Sequence, residues 1–383
     1  MRRREFLQAG ALGAAIAARA QTRKYRAAII GHTAHGNYGH GWDTAWNHFP
    51  SLEVVAVADP DEAGRQTATK RCGAKRGYAD YREMLRKEKP DLVAICPRWL
   101  DQRLEMVTAA ADAGAHILME KPFARNLAEA DAMVAAAERN KIKVQVGHIA
   151  RTAPIALRLR NMIHGGEIGV LQEIRARGKE DRRAGGEDMM VLGTHMFDFM
   201  RMFAGNPKWV FAHVTQDGQE MERSHVRRPT EPIGPVAGNQ IAAVYSFENG
   251  VHGHFGSKTS DVLTGARYGV TFYGSKGIIA FPMDCYPGGN PYILRSTSWL
   301  PDQPNARWQK IEVLAEERVD TRENANAVIV ADLLDAIEQD REPACGARDG
   351  RWTIEMVLGA YQSQKTGARM PFPLKDRRHP LET

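Results

Sequence analysis

The chain is predicted to fold as two α/β domains: a doubly wound parallel sheet, then a domain with a large open, mainly antiparallel sheet. Three observations predict this. From residue 25 to about 145, short apolar runs alternate with Ala-rich, charged stretches of helical length, the pattern of a parallel sheet with helices on both faces. After about residue 150, strand-like segments follow one another across glycine turns, as antiparallel strands do. The length of 383 residues also exceeds one usual domain.

The N-terminus reads as a twin-arginine export leader, residues 1–20. Positive charge sits at Arg2, Arg3 and Arg4, an apolar stretch runs from Ala9 to Ala17, and Ala18-Arg19-Ala20 matches a small-x-small cleavage site. The apolar run is too short to span a bilayer, and no later stretch is long and apolar enough to do so. The alternative is an Ala-rich N-terminal helix of a cytosolic protein. Export would place the mature protein in the periplasm or outside the cell. Removing the leader takes four arginines and one glutamate, so the formal charge falls from +6 to +3. That residual charge, without a basic stripe interleaved with aromatics, excludes a nucleic-acid footprint. The four cysteines, Cys72, Cys96, Cys285 and Cys345, form no CxxC pair, so no metal cluster is expected. Cys96 ends an apolar strand and reads as an inert core thiol.

The first domain is expected over residues 25–148. Its strands are Arg26 to Ile30, Leu52 to Asp59, Asp91 to Cys96, His116 to Glu120 and Lys143 to Gly147, with helices such as Leu104 to Gly114 and Leu127 to Asn140 between them. The second domain is expected over 149–370, followed by a tail at 371–383. It opens with a helix from Ala153 to His164, a strand from Leu171 to Arg177 and a helix from Gly193 to Ala204. Strands follow at Trp209 to Val214, Gln240 to Phe247, Gly253 to Lys258 and Tyr268 to Tyr273. Glu248-Asn249-Gly250 and Gly274-Ser275-Lys276-Gly277 read as hairpin turns, and the polar stretch Gln216 to Asn239 as a long loop. Two final helices, Asn324 to Gln339 and Arg351 to Thr366, are in a position to pack back on the first domain.

The stretch Gly31 to Gly39 follows the first strand. A phosphate-binding turn needs glycines so that backbone can bend sharply and approach a pyrophosphate, with the next helix's N-terminus facing the charge. Gly36 and Gly39 supply the last two glycines of such a turn, Gly31 is displaced by two extra residues, and Thr33, Asn37 and Tyr38 lie within it. A plain strand-to-helix turn explains the same residues. Asp59 ends the second strand. A carboxylate there accepts from both ribose hydroxyls and repels a 2′-phosphate, which favours NAD. It also suits an N-cap for the following helix. Arg65 keeps NADP open, because a guanidinium there can pair with a 2′-phosphate. Glu120-Lys121-Pro122 stands at the C-terminal end of the fourth apolar strand, where ligands of open α/β sheets bind. A lysine there can donate to a substrate hydroxyl and lower its pKa.

Together these motifs resemble the oxidoreductases grouped around glucose-fructose oxidoreductase, inositol dehydrogenase and the rhizopine-catabolism protein MocA. The resemblance spans about 25 to 370. It rests on Asp59, on Cys96-Pro97, on Gly114 through Pro122, on Val146-Gly147-His148-Ile149-Ala150-Arg151, on Gly193-Thr194-His195-Met196-Phe197-Asp198 and on Arg348-Asp349-Gly350. It implies a Rossmann domain, a bound NAD(P), a small-molecule sugar or polyol substrate, and a homo-oligomer built through the open sheet. It further implies that Lys121 and His195 are the catalytic pair, and that Cys96, Pro97, Glu120 and Lys121 join the glycine loop and Asp59 at the cofactor. Asp198, one turn beyond His195, orients the imidazole or anchors the helix. His148 and Arg151 face the nicotinamide or the substrate, or Arg151 forms an interdomain ion pair.

One departure matters. Many relatives carry an aspartate four residues before the histidine, and Val191 stands there. Asp188 can replace it if the turn is rearranged, and Lys179, Glu180 and Asp181 are other candidates. Three functions follow as expectations. The first is an exported oxidoreductase acting on a sugar with a tightly retained cofactor, since an exported protein meets no nicotinamide pool. The second is an NAD-dependent glycosidase that works by transient oxidation and elimination. The third is a non-catalytic sugar or cofactor sensor.

Overall fold

The computed structural model describes residues 24–261, 267–283, 290–302, 304, 306–319 and 321–382. The leader and Cys285 lie outside the described residues. In chain order the strands and helices of the first half are β1 (Tyr25–Ile30), β2 (Leu52–Ala58), α1 (Glu62–Cys72), β3 (Arg76–Tyr78), α2 (Tyr81–Glu88), β4 (Leu92–Ile95), α3 (Arg103–Asp112), β5 (His116–Met119), α4 (Leu127–Arg139) and β6 (Val144–Val146). They are followed by α5 (Pro154–His164), β7 (Leu171–Arg177), α6 (Gly186–Val191), α7 (Gly193–Ala204), β8 (Pro207–Gln216), β9 (Gln219–Glu220), β10 (Gln240–Phe247), β11 (His252–Lys258), β12 (Gly269–Gly274), β13 (Gly277–Pro282), β14 (Tyr292–Leu294), β15 (Trp308–Lys310), α8 (Arg322–Glu338), α9 (Ala347–Thr366) and β16 (Met370–Pro371).

The chain divides into two compact units. The first comprises residues 24–123, Asp131–Thr152 and Thr321–Arg348. Its parallel sheet has the order β3-β2-β1-β4-β5-β6, which reverses direction between β1 and β4 and so opens a crevice at their C-terminal ends. β4 is apolar throughout, and β1 from Ala27 to Ile30, because both faces are covered. The sequence reading has five strands; β3 is the sixth, a three-residue edge strand whose exposure leaves no apolar signature. α1 starts at an Asp61 N-cap and ends at Gly73 with φ 69°, as helix termini require. α8 belongs to this unit: Ile329, Val330, Leu333 and Leu334 join Trp42, Trp46 and Ile29 in one core cluster. The second domain expected over 149–370 is therefore interrupted, and only the later C-terminal helix lies mostly outside the first unit.

One expectation is overturned. No α-helix follows β1; a four-residue 3-10 turn, Ala45–His48, stands there instead. Gly36, Asn37, Gly39 and Gly41 all have positive φ, which a right-handed helix does not accommodate. The buried indoles of Trp42 and Trp46 occupy the space beside α8.

The second unit comprises 124–130, 153–319 and 349–382, apart from the stretches excepted above. Its sheet has the order β15-β14-β13-β12-β7-β11-β10-β8-β16, with β7 and β11 parallel and the other pairs antiparallel. α7 packs on it through Phe197, Phe199 and Phe203 against Phe255, Phe281 and Phe272. The residues read as a tail are part of this unit: β16 pairs with β8, and the Leu374 N–H donates to Glu355 Oε1 at 2.8 Å. No described helix is long and apolar enough to cross a membrane.

Candidate active site

In the first unit, the site residues gather at the C-terminal ends of β1, β2, β4 and β5. Asp59, fully buried, directly follows β2. Its carboxylate accepts hydrogen bonds from Thr33 N at 3.0 Å, Thr33 Oγ1 at 2.7 Å, the Tyr38 hydroxyl at 2.7 Å and Asp61 N at 3.0 Å. Asp61, not Asp59, caps α1, accepting from Gly64 N at 2.6 Å. Arg65 donates to the Asp59 carbonyl at 2.7 Å.

The glycines have identifiable neighbours. The Tyr38 ring lies directly on Gly31, where any Cβ would collide with it. A Cβ at Gly36 would stand 2.6 Å from Trp99 N, and one at Gly39 2.7 Å from the Glu120 side chain. Asn37 is exposed at the loop tip with φ 59°. Burial pushes the Tyr38 hydroxyl pKa up, and the bond to Asp59 adds to this. An open pocket beside the loop is lined by Gly31, His32, Pro60, Asp80, Tyr81 and Gln102 among others.

Glu120 and Lys121 sit just past β5, with Lys121 only 6% exposed and its peptide to Pro122 cis. Glu120 Oε2 accepts from the Lys121 N–H at 2.7 Å, and Oε1 pairs with His40 Nδ1. Arg103, from the first turn of α3, is buried beneath them. It donates to the carbonyls of Glu120, Pro122 (3.0 Å) and Pro97 (2.5 Å). Burial lowers the Arg103 pKa to about 10, so it remains charged at neutral pH. Burial also opposes ionisation of Glu120, but His40, Lys121 and Arg103 outweigh it and hold the carboxyl down at about 2. His148, buried after β6, is pushed down to about 3, first by burial and then by the Lys121 and Arg151 cations. It is a neutral imidazole at physiological pH. Cys96 is a buried free thiol with its pKa raised by burial.

The Glu120 shift has a pH consequence. A carboxyl whose folded pKa lies below its unfolded value of 4.5 contributes stability above pH 4.5, and this is lost as pH falls toward 2. Urea unfolding of the wild-type protein should therefore weaken between pH 5 and 2.5. Glu120→Gln should lose less across that window. Parallel loss in the two proteins would remove Glu120 as a cause.

In the second unit, Asp188 lies on α6 and is fully buried. It accepts from Lys179 N at 3.1 Å, Glu180 N at 3.1 Å and Ser257 Oγ at 2.6 Å. Burial raises its pKa against those three donors. The carboxylate is directed at Gly178 at the end of β7, so it anchors that turn. Val191 is itself buried. Glu180, at φ 56°, pairs with Arg177 and accepts from Lys258 N at 2.9 Å. Asp181 pairs with Arg183, and Lys179 is exposed. His195 is half-buried in the first turn of α7, and Asp198 is buried one turn on. No group of three or more potential metal-ligating side chains occurs among the described residues.

The first unit thus joins Thr33 and Tyr38 to Asp59, and Glu120 to Lys121 with His148 beside them, while Asp188, His195 and Asp198 lie on α6 and α7 of the second. His40 and Arg103 were not anticipated. His40 falls just beyond Gly39, a local hint, whereas Arg103 looks like any helix arginine until its burial is seen.

A nicotinamide dinucleotide needs a carboxylate for a ribose, a close-approach turn and a polar group beside the reacting carbon. Asp59, the Gly31–Gly39 turn and Lys121 supply that donor set, so the residues present fit it. The loop conformation is closed: the amides of His32, Thr33, His35 and Asn37 already donate within the protein.

Two family models match. Residues 25–148 match the oxidoreductase family NAD-binding Rossmann fold, and residues 172–372 match the oxidoreductase family C-terminal alpha/beta domain. Among curated proteins, the chain is 30% identical over 194 residues to a D-apiose dehydrogenase of Paraburkholderia graminis, covering 48% of this chain and 51% of that one. It is 24% identical over 338 residues to a D-glucoside 3-dehydrogenase of Escherichia coli, covering 83% and 90%. The chain spans about half the length of the first curated relatives it matches, 48% and 51%. In fold it is similar to a levoglucosan dehydrogenase solved with NADH and levoglucosan, at TM-score 0.73 and 20% identity, covering 92% of this chain and all of that one. With both family models matched over most of its length, the chain belongs to the GFO_IDH_MocA oxidoreductase family and carries that family's NAD-binding Rossmann domain.

Proposed function

We propose that the protein is an exported NAD(P)-dependent oxidoreductase that removes a hydride from a CH–OH carbon of a sugar or sugar derivative. The observation that carries this reading is Lys121, held at a strand end of an NAD-binding unit by a buried, ionised Glu120. When bound, the dinucleotide accepts the hydride. Asp59 holds a ribose of the dinucleotide, with NAD favoured over NADP. The Lys121 ammonium donates to the substrate hydroxyl and lowers its pKa. His148 is neutral and adds no charge of its own there. The family resemblance assigns the hydroxyl proton to Lys121 or His195. A homo-oligomer through the open sheet belongs to the proposal. On that face Phe211 and Tyr292 stand exposed in the cross-strand row that runs through Val244, His254, Arg175, Thr271 and Ala280.

The twin-arginine leader supports a cofactor loaded before export and retained. Denaturing the purified mature protein should release NAD(H) or NADP(H), read by absorbance and mass. Protein that carries no nicotinamide and binds none when it is added would sink the reading. A cofactor retained without an external pool favours a second reading, in which the cycle is redox-neutral and a glycosidic group is eliminated after transient oxidation. A panel of D-apiose, levoglucosan and D-glucosides deuterated at the oxidised carbon separates the two. Label in reduced cofactor or an acceptor sugar supports oxidation, and leaving-group release without net redox change supports the glycosidase.

A further inference from the structure

We propose that Tyr38 is a latch on the cofactor seat: its hydroxyl, with that of Thr33, occupies the Asp59 carboxylate, and the dinucleotide's ribose is seated only after Tyr38 lets go. This rests on the NAD-binding reading of the first unit and adds a step to it.

The geometry is specific. A carboxylate offers about four lone-pair positions. Asp59 Oδ2 accepts from Tyr38 and Thr33 Oγ1, each at 2.7 Å, and from Thr33 N at 3.0 Å, while Oδ1 accepts from Asp61 N at 3.0 Å. With Asp59 fully buried, a ribose diol must replace existing partners rather than add to them. The Asp61 amide is part of the α1 start, so the loop side must yield. Tyr38 is the partner that covers Asp59 from above: its ring lies on Gly31 and is capped by the Arg71 guanidinium, 4.9 Å from the ring centre. Arg71 is held in turn by Asp43.

The rest of the loop has the same closed character. Asn37 N donates to the His32 carbonyl at 2.9 Å, His35 N to that carbonyl at 2.9 Å, and Arg98 N to the Gly36 carbonyl at 3.1 Å. These are backbone groups of a turn whose open form would face phosphate oxygens. Releasing Tyr38 frees Asp59 and uncovers Gly31 together. The apparent affinity for dinucleotide is then the intrinsic one scaled by the fraction of molecules that are unlatched. A ligand that enters is also held until the loop reopens.

The test compares the full mature chain, stripped of nucleotide, with Tyr38→Phe, titrated with NADH and followed by fluorescence. Phe keeps the ring on Gly31 and removes only the hydroxyl. Losing a hydrogen bond to a charged group from the closed state alone should tighten NADH binding about tenfold or more. The observed association rate should plateau with NADH concentration in the wild type, where opening limits it, and plateau higher or not at all in the variant. Thr33→Val, which removes the other hydroxyl, should shift both in the same direction and serves if Tyr38→Phe does not fold. Unchanged or weaker binding in the folded variants overturns the latch. If the wild type binds NADH and the variants match it, the latch alone fails. If none of them binds NADH, the cofactor reading fails with it.

Discussion

Replacing Lys121 with methionine is expected to lower kcat by about 10²–10⁴-fold, the usual loss when a positioned acid–base group is removed. Methionine keeps most of the apolar stem, so the 6% exposed pocket around it stays filled. The ammonium alone is lost, and with it the charge that faces Glu120 and His148. Glu120 keeps His40 and Arg103 as partners, so its ionisation survives. Steady-state kinetics on the best sugar of the panel above, with NADH binding measured in parallel, separates chemistry from cofactor loss. Turnover within a few-fold of wild type, with binding intact, would remove Lys121 from the chemistry. The His148 imidazole should also titrate at higher pH in this variant, because the Lys121 cation is among the causes that push it down.

Arg103→Met is expected to produce the largest loss of stability of any single substitution at the site, about 3–5 kcal/mol. The guanidinium binds three carbonyls, those of Pro97, Glu120 and Pro122, and so ties the end of β4 to the end of β5. Methionine fills part of the space but donates nothing. Three buried carbonyls and the Glu120 carboxylate then lose a donor or a countercharge. Denaturant unfolding followed by far-UV circular dichroism reads the difference. A change below about 1 kcal/mol, an ordinary surface value, would show that water or a repacked loop replaces the arginine. Arg103→Lys should recover only part of the loss, because an ammonium cannot reproduce the planar fork.

Much of the architecture was legible because it depends on short-range patterning. The apolar runs of β1, β2, β4, β5 and β6 announce a sheet covered on both faces, and α5, β7, α7 and β10 lie where the periodicity and turns place them. β3 was invisible because an exposed edge strand of three residues has nothing to alternate. The missing helix after β1 is a different failure. A glycine-rich stretch after a strand suggests a helix start, but consecutive positive-φ positions commit the backbone to turns. The tail at 371–383 looked like a terminus because its proline and charge content hides β16 and the Leu374 contact with Glu355.

The candidate residues divide in the same way. Asp59 and Lys121 stand just past the ends of β2 and β5, and a place at the C-terminal end of a parallel strand is readable once the strands are marked. For Asp188, spacing along the chain does not say that its oxygens turn to Lys179, Glu180 and Ser257.

Residue order and local periodicity suffice for the two α/β folds, the strand-end positions of Asp59 and Lys121, and the family. They do not reveal that α8 completes the first core, that His40 and Arg103 help hold Glu120 ionised, or that the Tyr38 hydroxyl donates to Asp59. Those depend on which distant groups share a buried volume. In a buried volume, a donor 2.7 Å away decides what a carboxylate can do next.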